Sequence, residues 1–185
     1  MAVPLESFKN IKMISADAYE VGEITDVRYD PFEWNVAGLK VKVKRSSAKI
    51  AAGHSRSTVL ILPEKFILCD VLLLSQPIER IKEDIRPDND NISSLTSLES
   101  AKVVTRDNVL VGNVTAIMID TENWKVPSIA VRLDKGAIEA MNMKKGFFSK
   151  INAEIGTDAI LSSLDGMIHL TEHMDGLRNS MKILE

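Results

Sequence analysis

Val21-Gly22-Glu23-Ile24-Thr25-Asp26-Val27-Arg28-Tyr29-Asp30 returns later in the chain as Val111-Gly112-Asn113-Val114-Thr115-Ala116-Ile117-Met118-Ile119-Asp120, at a constant offset (111 − 21 = 90). Outward from this stretch, the ungapped windows 14–41 and 104–131 share eight of 28 positions. The identical pairs are Asp17/Asp107, Val21/Val111, Gly22/Gly112, Thr25/Thr115, Asp30/Asp120, Trp34/Trp124, Val36/Val126 and Val41/Val131. Composition alone gives roughly two such matches. Four further pairs stay apolar: Ile14/Val104, Ile24/Val114, Val27/Ile117 and Leu39/Ile129. The 185 residues are therefore a tandem of one small domain, each copy about half the chain and of a size that buries little core when alone.

The quoted stretch alternates apolar and polar residues, the period of a strand buried on one face. Gly22 follows a Ser15-Ala16-Asp17 turn, where glycine permits positive φ or close backbone approach. Asp30-Pro31-Phe32-Glu33 marks a turn, and Val36 to Val43 a second strand with a bulge around Gly38. Val59 to Pro63 and Phe66 to Leu74 predict further strands, and Pro77 to Lys82 a helical turn. The second copy has matching strands at Leu110 to Ile119 and Val126 to Leu133. Leu133 to Phe148 predicts a short helix, and Met167 to Leu184 a helical turn or two. Residues 1–86 and 95–185 form the two domains, with the polar, proline-containing 87–94 as linker. The expected fold is mainly β: two tandem small β-barrels with short helical segments, since closure removes sheet edges.

Composition points to a globular protein of a reducing cytoplasm, 45% apolar with net charge −3. No apolar run nears the ~20 residues of a membrane span, and no signal peptide is evident at the N-terminus. The lone Cys69, set in an apolar run, is expected to be a buried small hydrophobe.

The strand pattern Val-Gly-x-Ile/Val, ending in aspartate and followed by a turn and Leu39-Lys40-Val41 or Ile129-Ala130-Val131, resembles the PRC-barrel family. The resemblance covers residues 5–43 and 95–133 best. It implies a barrel that serves as an adaptor, with no shared catalytic residues. Family members include the H subunit of photosynthetic reaction centres, the ribosome-maturation factor RimM and free-standing archaeal proteins. Two barrels with little else is most similar to the archaeal type. That type implies a non-enzymatic, cytoplasmic scaffold at the division site, working with FtsZ and its anchor SepF. SepF, another PRC-barrel protein or a second copy of the chain is then the expected partner, and no cofactor is implied.

Catalytic and metal chemistry find little footing. His169-Leu-Thr-Glu-His173 has the i,i+4 spacing that puts two imidazoles on one helix face, but no further ligand completes a site, and His54 stands apart. Surface histidines are the simpler account. Asp30 and Asp120 suit turns better than acid–base work, and Trp34 and Trp124 suit a core or subunit contact better than a ligand site.

Two segments break the repeat. Between Trp34 and Pro63 there is no acidic residue but six basic ones, Lys40, Lys42, Lys44, Arg45, Lys49 and Arg56, leaving the rest of the chain at −9. Lys40, Lys42 and Lys44 share a strand face, a candidate contact for RNA, anionic lipid or an acidic tail. This supports the alternative function, an RNA- or ribosome-associated factor. A solvated strand face is the simpler account, and no aromatics interleave the lysines as single-stranded nucleic acid would favour. In copy two, Met141, Met143, Phe147 and Phe148 are the candidate protein contacts, balanced against packing in its core.

Overall fold

The computed structural model describes residues 2–47, 57–143, 150–164 and 166–184. The chain is mainly β, 48% strand against 18% helix, with two curled sheets, one of them a half-barrel. It divides into two compact units that are not contiguous in sequence. One comprises Glu6–Asp30 and Val36–Ser94; the other comprises Met1–Leu5, Pro31–Asn35 and Leu95–Glu185. We call them the first-copy and second-copy units. Compared with the contiguous division 1–86, 87–94, 95–185, the boundary before Leu95 is the same, but residues 87–94 belong to the first-copy unit, and residues 1–5 and 31–35 to the second-copy unit.

The first-copy unit holds β2 (Lys12–Ile14), β3 (Glu20–Tyr29), β4 (Val36–Val43), β5 (Thr58–Ile61), β6 (Phe66–Leu68), β7 (Leu72–Leu74), β8 (Ile85–Arg86) and β9 (Ser93–Ser94). Its sheet runs β6-β7-β2-β3-β4-β5-β8, with β9 also on β3. The second-copy unit holds β1 (Ala2–Pro4), β10 (Lys102–Val104), β11 (Leu110–Asp120), β12 (Lys125–Leu133), β13 (Asn152–Gly156), β14 (Ile160–Leu164), β15 (Met167–Leu170) and β16 (Met181–Leu184). Its sheet runs β14-β15-β10-β11-β12-β13-β16, with β1 also on β11. The two orders match strand for strand, including the parallel pairs β2–β7 and β10–β15. The repeat thus persists in topology beyond the window where the sequences still agree. The extra strands correspond too: Pro4 lies opposite Met118 and Ser94 opposite Arg28, at the same offset of 90 in both partners.

The core follows from the strand period. Val21, Ile24, Val27 and Tyr29 of β3 are buried with Val36, Leu39, Val41 and Val43 of β4. Their counterparts Val111, Val114, Ile117 and Ile119 of β11 are buried with Val126, Ile129, Val131 and Leu133 of β12. Ile24 and Val27 both face inward although three residues apart, because the register shifts between Ile24 and Asp26 and equally between Val114 and Ala116. Each bulge leaves one threonine to bond sideways. Thr25 Oγ1 donates to the Lys40 carbonyl at 3.1 Å, and Thr115 Oγ1 to the Ala130 carbonyl at 3.2 Å. The expected bulge near Gly38 is also present, where Arg28 faces Gly38 but Tyr29 faces Val36.

Gly22 and Gly112 meet the need for close approach. A Cβ on either would overlap a backbone carbonyl oxygen, that of Lys42 or Arg132. Left-handed backbone repeats as well. Asn10/Ser100, Ala18/Asn108 and Trp34/Trp124 have positive φ in both copies, a conformation costly for β-carbon residues and kept only where surroundings impose it.

Several sequence expectations need correcting. Phe66 to Leu74 is two short strands, β6 and β7, joined by a turn. Cys69 sits on that turn and is exposed, its Sγ 3.3 Å from the Val71 carbonyl; the tight reversal after three residues lifts it out of the sheet. The segment 167–184 holds the expected helical turns as α2 (Met174–Ser180), with a strand on either side, β15 and β16, that its irregular pattern does not predict. The helix expected after Leu133 is shorter than its pattern, α1 (Lys135–Ala140). It starts where the Asp134 carboxylate accepts the Gly136 N–H at 2.9 Å. It stops at Asn142, whose φ of 51° ends a helix in the left-handed manner.

Candidate functional site

The eight identical pairs have largely local duties. Ser15 Oγ donates to Asp17 Oδ1 at 2.6 Å, and Thr105 Oγ1 to Asp107 Oδ1 at 2.7 Å. The same hydroxyls accept the Tyr19 and Val109 N–H groups, so each closes an identical turn. Asp17 also receives the Ile78 N–H at 3.0 Å, and Asp107 lies 3.3 Å from His173 Nδ1. The Ser15 and Thr105 hydroxyls are the main reason these carboxyls sit below their ordinary range. Asp120 accepts the Asn123 amide at 2.8 Å and the Glu122 N–H at 3.1 Å, which lower its pKa in that order. This is the turn role expected of it. Asp30 lies at the end of β3, at the matching place. Trp34 is buried and Trp124 half-buried, and the Trp34 carbonyl accepts the Val126 N–H at 2.8 Å within the second-copy unit.

The histidines do not form the face that i,i+4 spacing on a helix would give. His169 lies on β15, while His173 precedes α2. His169 Nε2 is 3.1 Å from Asn108 Oδ1, and His173 bonds Asp107. Both thus tie the Asp107 turn to β15 and α2. Among the described residues, no group of three or more His, Cys, Asp or Glu is placed to hold a metal ion. His54 lies outside the described residues.

Two lysines of the basic face, Lys40 and Lys44, form ion pairs. Lys44 Nζ is 3.0 Å and Lys12 Nζ 3.5 Å from Glu20 Oε2; chiefly through Lys44, Glu20 is held below its ordinary pKa. Lys42 faces Glu23 across the β3–β4 ladder. Lys40 Nζ is 3.6 Å from one Asp88 oxygen, and Arg28 Nη2 is 3.3 Å from the other. Arg28 Nη2 also donates to the Ile92 carbonyl at 2.9 Å, and Ser94 Oγ donates to Asp26 Oδ1 at 2.9 Å. These contacts fasten residues 88–94 to β3 and β4, so that β9 can join the sheet. A cavity of about 310 Å³ lies beside them, lined by Lys40, Thr58, Leu60, Ile85, Arg86 and Asp88 among others. Arg45 is exposed. Lys49 and Arg56 lie outside the described residues.

Of the Met/Phe segment, Met141 is buried at 6% exposure, so it packs inside its unit and offers no contact surface. Met143 is half-buried, its N–H bonded to the Ile138 carbonyl. Phe147 and Phe148 lie outside the described residues.

Sequence patterning missed the sheet edges. β6 and β14 occupy the same outer place in the two sheets, each paired on one side only among the described residues. Ile67 is 65% exposed on β6; Leu161 and Leu164 are 62% and 69% exposed on β14. The sequence pattern predicts no strand at β14 and merges β6 with β7, and periodicity does not say which strand is outermost. Among the described residues, no helix is long and apolar enough to cross a membrane. Compared with known proteins, the chain matches no family model and no curated protein.

Proposed function

We propose that the protein is a non-enzymatic adaptor of two PRC-like barrels that self-associates or bridges protein partners. The observation that carries this is the pair of equivalent outer strands, β6 and β14, which among the described residues join their sheets on one side and bear Ile67, Leu161 and Leu164 in solvent. Open edges pair with other chains through backbone hydrogen bonds, and exposed apolar side chains add contact area. The repeated polar residues support the same reading, because their hydrogen bonds are spent on turns and bulges rather than converging on a cavity. The PRC-barrel resemblance names the process to test first, FtsZ-based division through SepF. Light scattering of the purified chain with purified SepF is the test: a complex larger than either component is expected. Absence of any complex sinks the SepF link.

The RNA-associated alternative drew on the basic strand. With Lys40 and Lys44 in ion pairs and Lys42 opposite Glu23, no observation favours it over the adaptor reading.

A further inference from the structure

We infer that residues 118–120 of β11 form a strand-acceptor site whose partner is residues 2–5 of a second copy of this chain, taken up by reciprocal exchange. The inference rests on the adaptor reading and names its partner.

Both copies have the same slot, and in neither does the occupying strand come from the copy that owns it. On β11 the slot holds β1, with Ala2 opposite Asp120, Val3 opposite Ile119 and Pro4 opposite Met118. On β3 it holds β9, with Ser93 opposite Tyr29 and Ser94 opposite Arg28. Val3 and Pro4 match Ser93 and Ser94 at the offset of 90, as Arg28 and Tyr29 match Met118 and Ile119. Yet β1, which opens the first copy in the chain, pairs in the second-copy unit, and β9, which opens the second copy, pairs in the first-copy unit. Each time the slot occurs, it takes the leading strand of another copy. A second molecule offers that same strand.

The two occupants are held differently. β9 is tied by side chains: Arg28 Nη2 donates to the Ile92 carbonyl at 2.9 Å and lies 3.3 Å from Asp88, and Ser94 Oγ donates to Asp26 Oδ1 at 2.9 Å. At the matching places β11 has Met118 and Ala116, and β1 has Pro4, so no such ties form there. β1 keeps its backbone pairs and two apolar residues, the half-buried Val3 and Leu5 at 2% exposure. Those contacts are the same whichever chain supplies the strand. Reciprocal exchange therefore conserves every pair and closes into a two-fold dimer. The tether sets the balance: the chain's own strand acts at an effective concentration of about the millimolar range, so the monomer dominates in dilute solution.

The test uses the full chain with Cys69→Ser, which removes its only thiol. One preparation carries Pro4→Cys and another Met118→Cys, each checked against the wild type by circular dichroism. Directly opposed strand residues have Cβ atoms about 4.5–5.5 Å apart, close enough for a disulfide to form with small adjustment. Mixed at high concentration in a glutathione redox buffer, the two should join by a disulfide between positions 4 and 118, identified by peptide mass spectrometry. Ser162→Cys, exposed and outside the slot, replaces Met118→Cys to give the rate of chance collision. The slot disulfide should form at least tenfold faster; equal rates overturn the inference. A single chain carrying both Pro4→Cys and Met118→Cys should close its own disulfide, and failure to do so overturns the register on which the exchange stands. Without any introduced thiol, wild type that is concentrated and then diluted should show a slowly decaying dimer by size exclusion, and the chain lacking residues 2–4 should show none. A dimer that survives this deletion also overturns the inference. None of these results bears on SepF, so the adaptor reading keeps its own test.

Discussion

Gly22 and Gly112 face the same obstacle, a carbonyl oxygen that a Cβ would strike, whereas Lys40 and Ala130, which hold the same aligned position, do different things. Lys40 reaches Asp88 and helps hold the segment after β8; Ala130 lies between Ala116 and Glu154 in its ladder and has no such reach. The contrast separates what the fold requires of both copies from what one copy has added. The required set is large: buried strand faces, the Thr25 and Thr115 bulges, the Asp17 and Asp107 turns and the left-handed tryptophans. The added set is small: the Arg28–Asp88–Lys40 clamp in one copy, and a long uncharged β14 in the other.

The largest expected effect comes from breaking the required set. Gly112→Ala forces the β11–β12 ladder apart and should destabilise the second-copy unit by about 3 kcal/mol, the upper range for overpacking. Gly22→Ala should cost the first-copy unit a similar amount. Both tryptophans belong to the second-copy unit, which gives the comparison a probe. Denaturant unfolding followed by tryptophan fluorescence should shift for Gly112→Ala, and circular dichroism should register both variants. If either substitution is silent by both probes, the shared close approach is not a constraint.

Removal of residues 2–4 should have the next largest effect. β1 pairs with β11 from Pro4–Met118 to Ala2–Asp120 and leaves Val3 beside Ile119. Losing these pairs should lower the tryptophan-detected stability by about 1–3 kcal/mol. An unchanged fluorescence midpoint would show that β1 adds nothing to the unit.

Acid should act on both copies in the same direction. The Asp17 and Asp107 carboxyls are held below their ordinary range, first by the Ser15 and Thr105 hydroxyls. A carboxyl depressed in the folded state contributes stability above its unfolded pKa and loses it as pH falls through the folded one. Stability should therefore decline from about pH 4 downward. Asp17→Asn and Asp107→Asn should each flatten that decline, measured as urea midpoint against pH. Asp107 also faces His173 where Asp17 meets the Ile78 N–H, so a difference between the two slopes would report that partner.

Much of this fold is legible in the sequence, because β3, β4, β11 and β12 carry their inward residues on a pattern shared twice. Their boundaries fall within a residue or two of those expected. The turn role of Asp120 was legible from its neighbours as well. What escaped was non-local. That β9 joins β3, and β1 joins β11, depends on pairings far apart in the chain that no local period records. Cys69 was misplaced because an apolar run does not reveal a turn within it. The lysines read as a free stripe because Asp88, Glu20 and Glu23 are brought beside them only by pairing and chain return. Edges are invisible for the same reason: a strand's neighbours are a property of the sheet.

The smallest expected effect is the one that makes the copies more alike. Lys40→Ala gives β4 the residue that β12 already has at the matching position. The Lys40–Asp88 pair is partly exposed, at 36% and 39% for the two side chains, and pairs of that kind contribute below about 1 kcal/mol. Arg28 still holds Asp88 and the Ile92 carbonyl after the change, so the segment keeps its main anchor. The urea midpoint should move little for Lys40→Ala and more for Arg28→Ala, which releases both contacts together. If the order is reversed, the clamp is centred on Lys40, and the lysine is an addition on which the first-copy unit has come to depend.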